Sequence, residues 1–500
     1  MTTTPTDAIK PIGLRRLGRN TVVYSVGVVA QRVASVVLLP LYTRYLVPAQ
    51  YGILQLLDIT VEVTTIVFRA GTAAGLQRFF FKAEKEDERR RVAFTAFVLH
   101  MGGTLLGTVA LAACAGLVNR DFLSNAGTPA FVRIAALNFL LSALVIVPQS
   151  LLQIEQKAMT IVIFQLIRLG IQIVLNVYFL VSLHLGVAAI LWSTAVASSL
   201  TGIALMLMFL RRTGVRMSMA AVRDLRRFGI PYQVSIAASF ILTFGDRFFL
   251  QHYRGVALVG LYALAYQFNF LLQGLASGPF QRAWEPHRFS MVSSPRATRD
   301  AACAREFLFS NLLLFFVAFG ITVFTRPALT VLTSAAYHAA APIVPVIIVA
   351  AVLQSWGTTV KFGIDVSEKT WLVSHASWIA TVVIIVAYAS LIPIYGAMGA
   401  AVATVLGYAV RFWFTLRWAQ REWPVRYGWG RTVTLAVVST LLALPAWIWT
   451  GKTFVRQVAL GTVLTLVYMV VVWYTVLVKG HREALVAAIR QRSLSGLARS

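Results

Sequence analysis

The stretch PAFVRIAALNFLLSALVIVPQS, residues 129–150, indicates the fold class of this chain. It is long and apolar enough to cross a bilayer, since a spanning α-helix needs roughly 20 predominantly apolar residues. Similar segments follow one another from Thr21 to Val478, separated by short polar breaks. We predict about 14 spanning helices. They begin near Val22, Gly52, Val92, Pro129, Thr160, Leu185, Phe228, Val256, Phe307, Ala340, Thr370, Ile394, Arg431 and Val455.

The composition of the whole chain supports the same interpretation. Of its 500 residues, 58% are hydrophobic and 13% are charged, and the mean hydropathy is +0.75. Such a chain is too apolar for a soluble protein, and the polar breaks leave no room for a soluble catalytic domain. The sequence therefore predicts an all-α polytopic membrane protein.

Basic residues are sorted among the polar breaks. The net charge is +27, and Lys and Arg concentrate in alternate breaks, within residues 10–19, 78–91, 211–227, 282–305, 417–431 and 479–499. Because the cytoplasmic loops of membrane proteins are enriched in Lys and Arg, we expect both termini in the cytoplasm and an even number of spans. This sorting explains the positive charge without a nucleic-acid partner.

Neither cysteine chemistry nor a targeting signal is expected. Cys114 falls within a predicted span and Cys303 in a predicted cytoplasmic break, so we expect neither a disulfide nor a metal site. Residues 1–20 are polar and basic and lack an apolar run that ends in a cleavage site, so we expect no signal peptide.

The chain contains an internal repeat. At offsets of about 208 and about 210 residues, matching residues include the pairs Tyr24 and Tyr232, Gly52 and Gly260, Tyr178 and Tyr388, Gly186 and Gly396, and Thr194 and Thr404. An even number of predicted spans separates the copies, which makes them parallel repeats. The predicted organisation is a cytoplasmic tail (1–20), a six-helix N-lobe (21–210), a basic cytoplasmic linker (211–227), a six-helix C-lobe (228–420), an extra helix hairpin (421–478) and a basic cytoplasmic tail (479–500).

Charged and amide residues occur inside several apolar segments. A charge in a bilayer is costly unless it faces protein or water, so each one is a functional candidate. Arg133, Arg247, Lys361 and Arg411 lie near segment ends, where long side chains can reach the membrane surface. Others form stripes, because residues three and four apart share one face of a helix. The stripes are Ser25, Arg32 and Ser35; Asp58, Glu62, Thr65 and Arg69; Asn138, Ser142 and Gln149; Gln165, Arg168, Gln172 and Asn176; Ser235, Ser239, Thr243 and Asp246; and Tyr266, Asn269, Gln273 and Ser277.

These stripes predict a hydrated cavity between the two lobes, although hydrogen bonding between helices is the alternative. Arg32, Arg69 and Arg168 suit bidentate contacts with phosphate oxygens, which predicts an anionic substrate. The amides of Asn138, Gln149, Gln165, Gln172, Asn176, Asn269 and Gln273 would line the same cavity. Asp58, Glu62 and Asp246 are candidates for binding a coupling ion, H⁺ or Na⁺, or alternatively for neutralising nearby arginines. No other cofactor is expected.

Several motifs resemble one family. Residues 39–46 (LPLYTRYL) and 50–52 (QYG) resemble the opening of bacterial O-antigen and exopolysaccharide flippases. These form the polysaccharide transporter (Wzx-like) branch of the multidrug/oligosaccharidyl-lipid/polysaccharide exporter (MOP) superfamily. Residues 229–231 (GIP), 246–248 (DRF), 259–266 (VGLYALAY) and 283–286 (AWEP) resemble the start of that family's second lobe. Residues 396–404 (GAMGAAVAT) resemble the beginning of its twelfth helix.

The resemblance implies a transporter rather than an enzyme. Its expected substrate is an undecaprenyl-pyrophosphate-linked oligosaccharide, the repeat unit of O-antigen in lipopolysaccharide or of exopolysaccharide. Alternating access would move it from the inner to the outer leaflet of the bacterial inner membrane, with Arg32 and Arg69 receiving the pyrophosphate. Glycosyltransferases or a polymerase of the same pathway are expected as partners. The alternatives are a lipid II flippase, a multidrug or cation antiporter of the same superfamily, and a membrane glycan polymerase or ligase.

Overall fold

The computed structural model describes residues 38–69, 71–281, 284, 288, 291–292, 295–448 and 453–476, without the side chains of residues 231, 232 and 235. The predicted first span up to residue 37, with Arg32, lies outside these residues, as do both predicted tails. Within the described ranges, every regular element is helical. By length and composition, 11 of these helices can cross a membrane. The chain is therefore a multi-pass helical membrane protein, as its composition predicts.

The chain divides into two units, Met1–Gly260 and Leu261–Ser500. In the first unit, α6 contacts α2, α4 and α8, while α7 packs on α8, and both α3 and α4 pack on α9. Buried Leu76, Phe97, Val147, Phe209 and Leu225 form one core where α3, α4, α6, α8 and α9 meet. The helices of this unit are α1 (residues 38–45), α2 (Pro48–Phe68), α3 (Thr72–Lys82), α4 (Glu86–Ala113), α5 (Ala115–Asp121), α6 (Pro129–Ile154), α7 (Ala158–Val177), α8 (Val187–Thr213), α9 (Met219–Arg254) and the start of α10 (Val256–Leu272).

In the second unit, α12 packs along α14, and α11 packs against both α15 and α16. Phe319 of α11 stacks on Tyr468 of α16 with ring centroids 4.4 Å apart. A second aromatic cluster, Phe307, Trp356, Phe412, Tyr427 and Trp429, joins the starts of α11 and α15. The helices are α11 (Arg296–Leu332), α12 (Val344–Val360), α13 (Phe362–Val366), α14 (Trp371–Glu422), α15 (Trp429–Ile448) and α16 (Phe454–Thr475).

From the second predicted span onward, the spans correspond to observed helices, but several helices are longer than predicted. α9 begins at Met219, inside the predicted basic linker, and α11 begins at Arg296, well before the predicted start at Phe307. α3 occupies part of a predicted polar break. Hydropathy marks only the apolar part of a helix, whereas Arg, Lys and Ala continue it outside the apolar region because they favour helical backbone.

Two glycines related by the sequence repeat have the same backbone conformation. Gly186 precedes α8 with φ 57° and ψ −128°. Gly396 interrupts α14 with φ 55° and ψ −128°, at the predicted start of the twelfth span near Ile394. A side chain disfavours this conformation, so glycine is required at both positions. The 52-residue α14 therefore consists of two predicted spans joined at a glycine.

A second repeat-related pair lies where α2 crosses the first turn of α10, within the first unit. A Cβ atom on Gly52 would lie 2.1 Å from the carbonyl oxygen of Val256, and one on Gly260 would lie 2.0 Å from that of Pro48. Both distances are far below van der Waals contact, so the two backbones touch directly. Small residues permit such close crossings between membrane helices.

Candidate functional site

The predicted stripe on α2 is one continuous face with two different environments. Asp58 and Glu62 are exposed, although both lie well inside an apolar helix. Arg69, which directly follows α2, is buried, with only 7% of its surface exposed. Exposing a carboxylate to lipid hydrocarbon carries a large free-energy cost. The exposed part of this stripe therefore requires water or a polar partner.

Arg69 is held against α6. Its Nη2 donates hydrogen bonds to the carbonyl oxygen of Phe139 at 2.9 Å and to Oγ of Ser142 at 2.5 Å. Its guanidinium lies 4.3 Å from the centroid of the Phe139 ring. In this conformation the guanidinium is therefore part of the α2–α6 contact.

Sequence reasoning missed His100, which lies beside Arg69. The imidazole is buried in the middle of α4, and its Nδ1 is 2.7 Å from Oγ1 of Thr72. Its Nε2 has no hydrogen-bond partner among the described residues. The detectable signal was an ionisable residue inside the apolar run that begins near Val92, the same criterion that identified Arg168.

The stripe on α7 also divides in two. Asn176 is buried and its Nδ2 donates to the hydroxyl of Tyr42 at 2.8 Å, while its Oδ1 accepts from Ser193. Gln172 Nε2 donates to Oγ1 of Thr194 on α8 at 3.1 Å. These two amides link helices, as the alternative interpretation of the stripes held. Gln165 is half-buried one turn before Arg168.

Arg168 lies in the middle of α7 and is half-buried. Among the described residues, no hydrogen bond or ion pair reaches its guanidinium. At 3.6 residues per turn, it projects away from the exposed apolar face of α7, which carries Met159, Ile163, Leu166, Ile167, Val174 and Val177. It therefore does not belong to the lipid-facing side of the helix.

The remaining candidates of the first unit lie on α6 and α9. Asn138 Nδ2 donates to the carbonyl oxygen of Leu191 at 3.0 Å, and Gln149 is half-buried further along α6. Asp246 is fully buried and its Oδ1 lies 2.7 Å from Nη1 of Arg247. Arg247 is only 1% exposed. The interpretation that its side chain reaches the membrane surface is therefore wrong, because the adjacent carboxylate and the Thr243 carbonyl, at 2.8 Å, solvate its charge internally.

Two predicted site residues lie in the second unit, Asn269 near the end of α10 and Gln273 at the start of the π-helical segment that follows it. Gln273 Nε2 donates to the carbonyl oxygen of Ala351 at 2.9 Å and to Oγ of Ser355 at 3.1 Å, which ties the segment to α12. Asn269 is 2% exposed, one turn earlier. The Gln273 amide therefore belongs to the helix packing of this unit, whereas Oδ1 of buried Asn269 has no hydrogen-bond partner among the described residues.

Most of the predicted residues thus fall into two groups, and Gln149, Gln165 and Asn269 belong to neither. Arg69, Asn138, Gln172, Asn176, Asp246 and Gln273 are engaged by neighbouring helices. Asp58, Glu62 and Arg168 carry charges that no described hydrogen bond or salt bridge satisfies. In the part of the chain that the structure describes, no group of His, Cys, Asp and Glu could hold a metal ion. The second group supplies the candidate functional residues of the first unit, two on α2 and one on α7.

Comparisons with known proteins give both a family and a fold. A model of the family described as "Polysaccharide biosynthesis protein" matches residues 41–342. A comparison with curated proteins gives no match. The lipid II flippase MurJ, in an inward closed conformation, matches with a TM-score of 0.71 and 12% identity, covering 90% of this chain and 99% of that chain.

Two multidrug transporters match as well. An inward-facing multidrug resistance transporter of the MATE family, in the MOP superfamily, has a TM-score of 0.59 and 15% identity, covering 84% of this chain and 98% of its own. A mutant of the Vibrio cholerae MATE transporter VcmN has a TM-score of 0.55 and 14% identity, with coverages of 81% and 96%. At these identities the likeness shows the fold alone, which the chain shares with these transporters.

The sequence motifs predict membership of a polysaccharide transporter family, and the family match and the fold confirm this prediction. The fold is the one found in a MOP superfamily transporter. The family match covers more than half of the chain, and it begins within α1 and ends in the 3₁₀ helix before α12. The chain belongs to the polysaccharide biosynthesis protein family.

Proposed function

We propose that the protein is a flippase that moves an undecaprenyl-pyrophosphate-linked oligosaccharide from the inner to the outer leaflet of the bacterial inner membrane. The cargo would be the repeat unit of O-antigen or exopolysaccharide, and transport would proceed by alternating access. Membership of a polysaccharide biosynthesis family, together with a transporter fold shared with a lipid II flippase, supports this class of cargo.

One observation carries the proposal, the unsatisfied guanidinium of Arg168 in the middle of a membrane-spanning helix. Such a charge is retained at a cost unless water or a substrate solvates it. A guanidinium pairs well with phosphate oxygens, because its N–H groups match their geometry. The lipid-linked pyrophosphate would supply the anion that no described residue supplies at this position. Arg32, which lies outside the described residues, would add a second cation.

The test replaces Arg168 in a strain that depends on this gene for its surface polysaccharide. We expect Arg168→Ala to lower surface polysaccharide by roughly tenfold or more, since a lost charge-assisted hydrogen bond costs about 1.5–3 kcal/mol. Arg168→Lys should retain part of the activity, because it keeps the charge and loses the bidentate geometry. Polysaccharide is measured by immunodetection on intact cells, and protein level by immunoblotting.

Arg133→Ala is the matched control, because Arg133 is an exposed arginine on α6 of the same unit. It removes the same charge and should leave export near the wild-type level. Export by Arg168→Ala equal to that of this control would rule out the phosphate role. A deletion strain that stops growing and lyses, with polysaccharide synthesis intact, would instead identify lipid II as the cargo.

The coupling ion is proposed to bind at Asp58 and Glu62, which are exposed one turn apart on α2. Like charges this close favour the binding of a proton or sodium ion. In proteoliposomes, an imposed H⁺ or Na⁺ gradient should accelerate flipping of a fluorescent lipid-linked oligosaccharide by the wild-type protein. The double variant Asp58→Asn/Glu62→Gln should retain flipping but lose the response to the gradient. An undiminished response in this variant would exclude both carboxylates.

A further inference from the structure

A pocket of about 490 Å³ lies between the starts of α11 and α15, within the second unit. Its α11 wall consists of Ala301, Ala304, Arg305 and Leu308, which lie on one helix face at positions i, i+3, i+4 and i+7. Its other wall is the four-residue segment Gly428, Trp429, Gly430 and Arg431, which opens α15. The pocket is distinct from the charged residues of the first unit.

Two arginines give this pocket an uncompensated positive charge. The side chains of Arg305 and Arg431 are both exposed. No described residue pairs with either guanidinium through a hydrogen bond or a salt bridge. The nearest carboxylates along α11 are already engaged: Glu306 with Arg288, and Asp300 with Arg299 at 3.6 Å. Two positive charges that share a pocket repel each other. An anion bound between them relieves this repulsion and is attracted by both.

The rest of the lining is apolar. Ala301, Ala304 and Leu308 present methyl groups beside the cations. Trp429 is held in place by aromatic neighbours, with its ring 4.9 Å from that of Phe307 and 5.7 Å from that of Trp356. A Cβ atom added to Gly428 or Gly430 would meet nothing within 4 Å, so there is open space beside both glycines. Cations beside an apolar wall match an amphiphile better than a free phosphate ion.

The pocket also lies where lipid headgroups are expected. Arg305 and Arg431 each stand at the start of the apolar part of a spanning helix, and tryptophan is enriched at this level of membranes. Both arginines belong to basic clusters that are expected on the cytoplasmic side, where the leaflet carries anionic lipids. Basic pockets between helices on that side are a common form of anionic-lipid site.

We propose that this pocket binds an anionic bilayer phospholipid. The headgroup phosphate lies between the guanidinium groups of Arg305 and Arg431, and the adjacent glycerol and acyl carbons cover Ala301, Ala304 and Leu308. The lipid is a resident ligand, not cargo, so the proposal does not rest on the flippase function.

The first test measures lipid binding to the full-length protein, purified in a non-ionic detergent, by native mass spectrometry with added phosphatidylglycerol. Phosphatidylcholine serves as the neutral lipid. We expect Arg305→Gln/Arg431→Gln to weaken phosphatidylglycerol binding by about tenfold or more, through loss of charge-assisted hydrogen bonds. The matched control is Arg417→Gln/Arg421→Gln, which removes two exposed arginines from the end of α14 without touching the pocket. It should bind like the wild type.

Each other outcome overturns the proposal. Equal losses in both double variants would indicate diffuse surface attraction. Unchanged binding in the pocket variant, or equal binding of phosphatidylcholine, would exclude a phosphate site at these arginines. Competition by glycerol phosphate at the concentration at which phosphatidylglycerol binds would indicate a free-phosphate site.

A second measurement uses the wild-type protein, so that it does not depend on the folding of a variant. A photoactivatable phosphatidylglycerol analogue is crosslinked in liposomes and the adducts are mapped by peptide sequencing. We expect adducts at residues 301–308 or 428–431, and expect excess phosphatidylglycerol, but not phosphatidylcholine, to suppress them. Absence of adducts from both segments, while other lipid-facing helices are labelled, would contradict the proposal.

Discussion

Arg69 and Arg168 show, at the scale of single residues, two ways in which a charge persists inside apolar helices. The carbonyl oxygen of Phe139, the hydroxyl of Ser142 and an aromatic ring solvate Arg69. Arg168 has no such partner among the described residues. Helical spacing predicts that each lies on a polar stripe, but it cannot distinguish them. The partners of Arg69 lie 70 and 73 residues away along the chain, so only tertiary structure reveals them.

This difference predicts opposite profiles for the two alanine variants. Arg69→Ala should lower the free energy of unfolding by about 2–4 kcal/mol, through loss of charge-assisted hydrogen bonds and a cation–π contact. Arg168→Ala should change it little and act on export instead. Thermal unfolding of the detergent-purified proteins, followed by intrinsic fluorescence, provides the comparison. If Arg69→Ala is as stable as the wild type while export is lost, Arg69 leaves α6 during transport and contacts substrate.

At the scale of elements, small-residue positions were the most informative part of the sequence. The repeat aligns Gly186 with Gly396 and Gly52 with Gly260. In the structure, Gly186 and Gly396 have the same backbone conformation, and Gly52 and Gly260 lie at the same helix crossing. Apolar residues at aligned positions carried less information, because any apolar residue suffices to face lipid. Helix ends outside the membrane were missed because hydropathy does not report them.

Gly396 provides the prediction at this scale. Its φ of 55° with ψ of −128° is essentially restricted to glycine, so Gly396→Ala should destabilise the protein by about 1–3 kcal/mol. Gly357→Ala is the control, and its expected effect on the free energy of unfolding is absent or opposite in sign. Gly357 has ordinary helical backbone and open space where a Cβ atom would be added, so alanine there should be neutral or stabilising by up to about 1 kcal/mol. Equal thermal unfolding temperatures for the two variants would show that the backbone at position 396 is not constrained in the membrane.

At the scale of the whole molecule, the order of the membrane helices from α2 onward was largely predictable, because length and hydropathy mark a membrane helix. The total number of spans stays a prediction. The position at which the chain divides into two units was harder to predict. The repeat places a boundary in the linker at 211–227, whereas α9 and the first turn of α10 pack with the first unit, which ends at Gly260. The lobe boundaries, and the cavity between lobes, stay predictions.

Transmembrane orientation is the whole-molecule property that basic-residue sorting predicts most directly. Ala126 and Ala336 are exposed in breaks predicted to face outward. Ala220 is exposed in the predicted cytoplasmic linker, and Thr370 is exposed at the predicted cytoplasmic start of a span. Single cysteines at these positions, in a background with Cys114→Ala and Cys303→Ala, can be labelled on intact spheroplasts with a membrane-impermeant maleimide. We expect labelling at positions 126 and 336, and labelling at 220 and 370 only after lysis, because Lys and Arg are retained on the cytoplasmic side.

The same experiment tests whether α9 crosses the membrane. α9 is not among the 11 helices that qualify as spans by length and composition among the described residues. If it crosses, α6 to α11 place six spans between Ala126 and Ala336, and both positions face outward. If α9 lies on the membrane surface, only five spans separate them, and they face opposite sides. Labelling at position 126 without labelling at position 336 would therefore reject α9 as a span, and with it the six-helix composition of the second lobe and the parallel arrangement of the repeats.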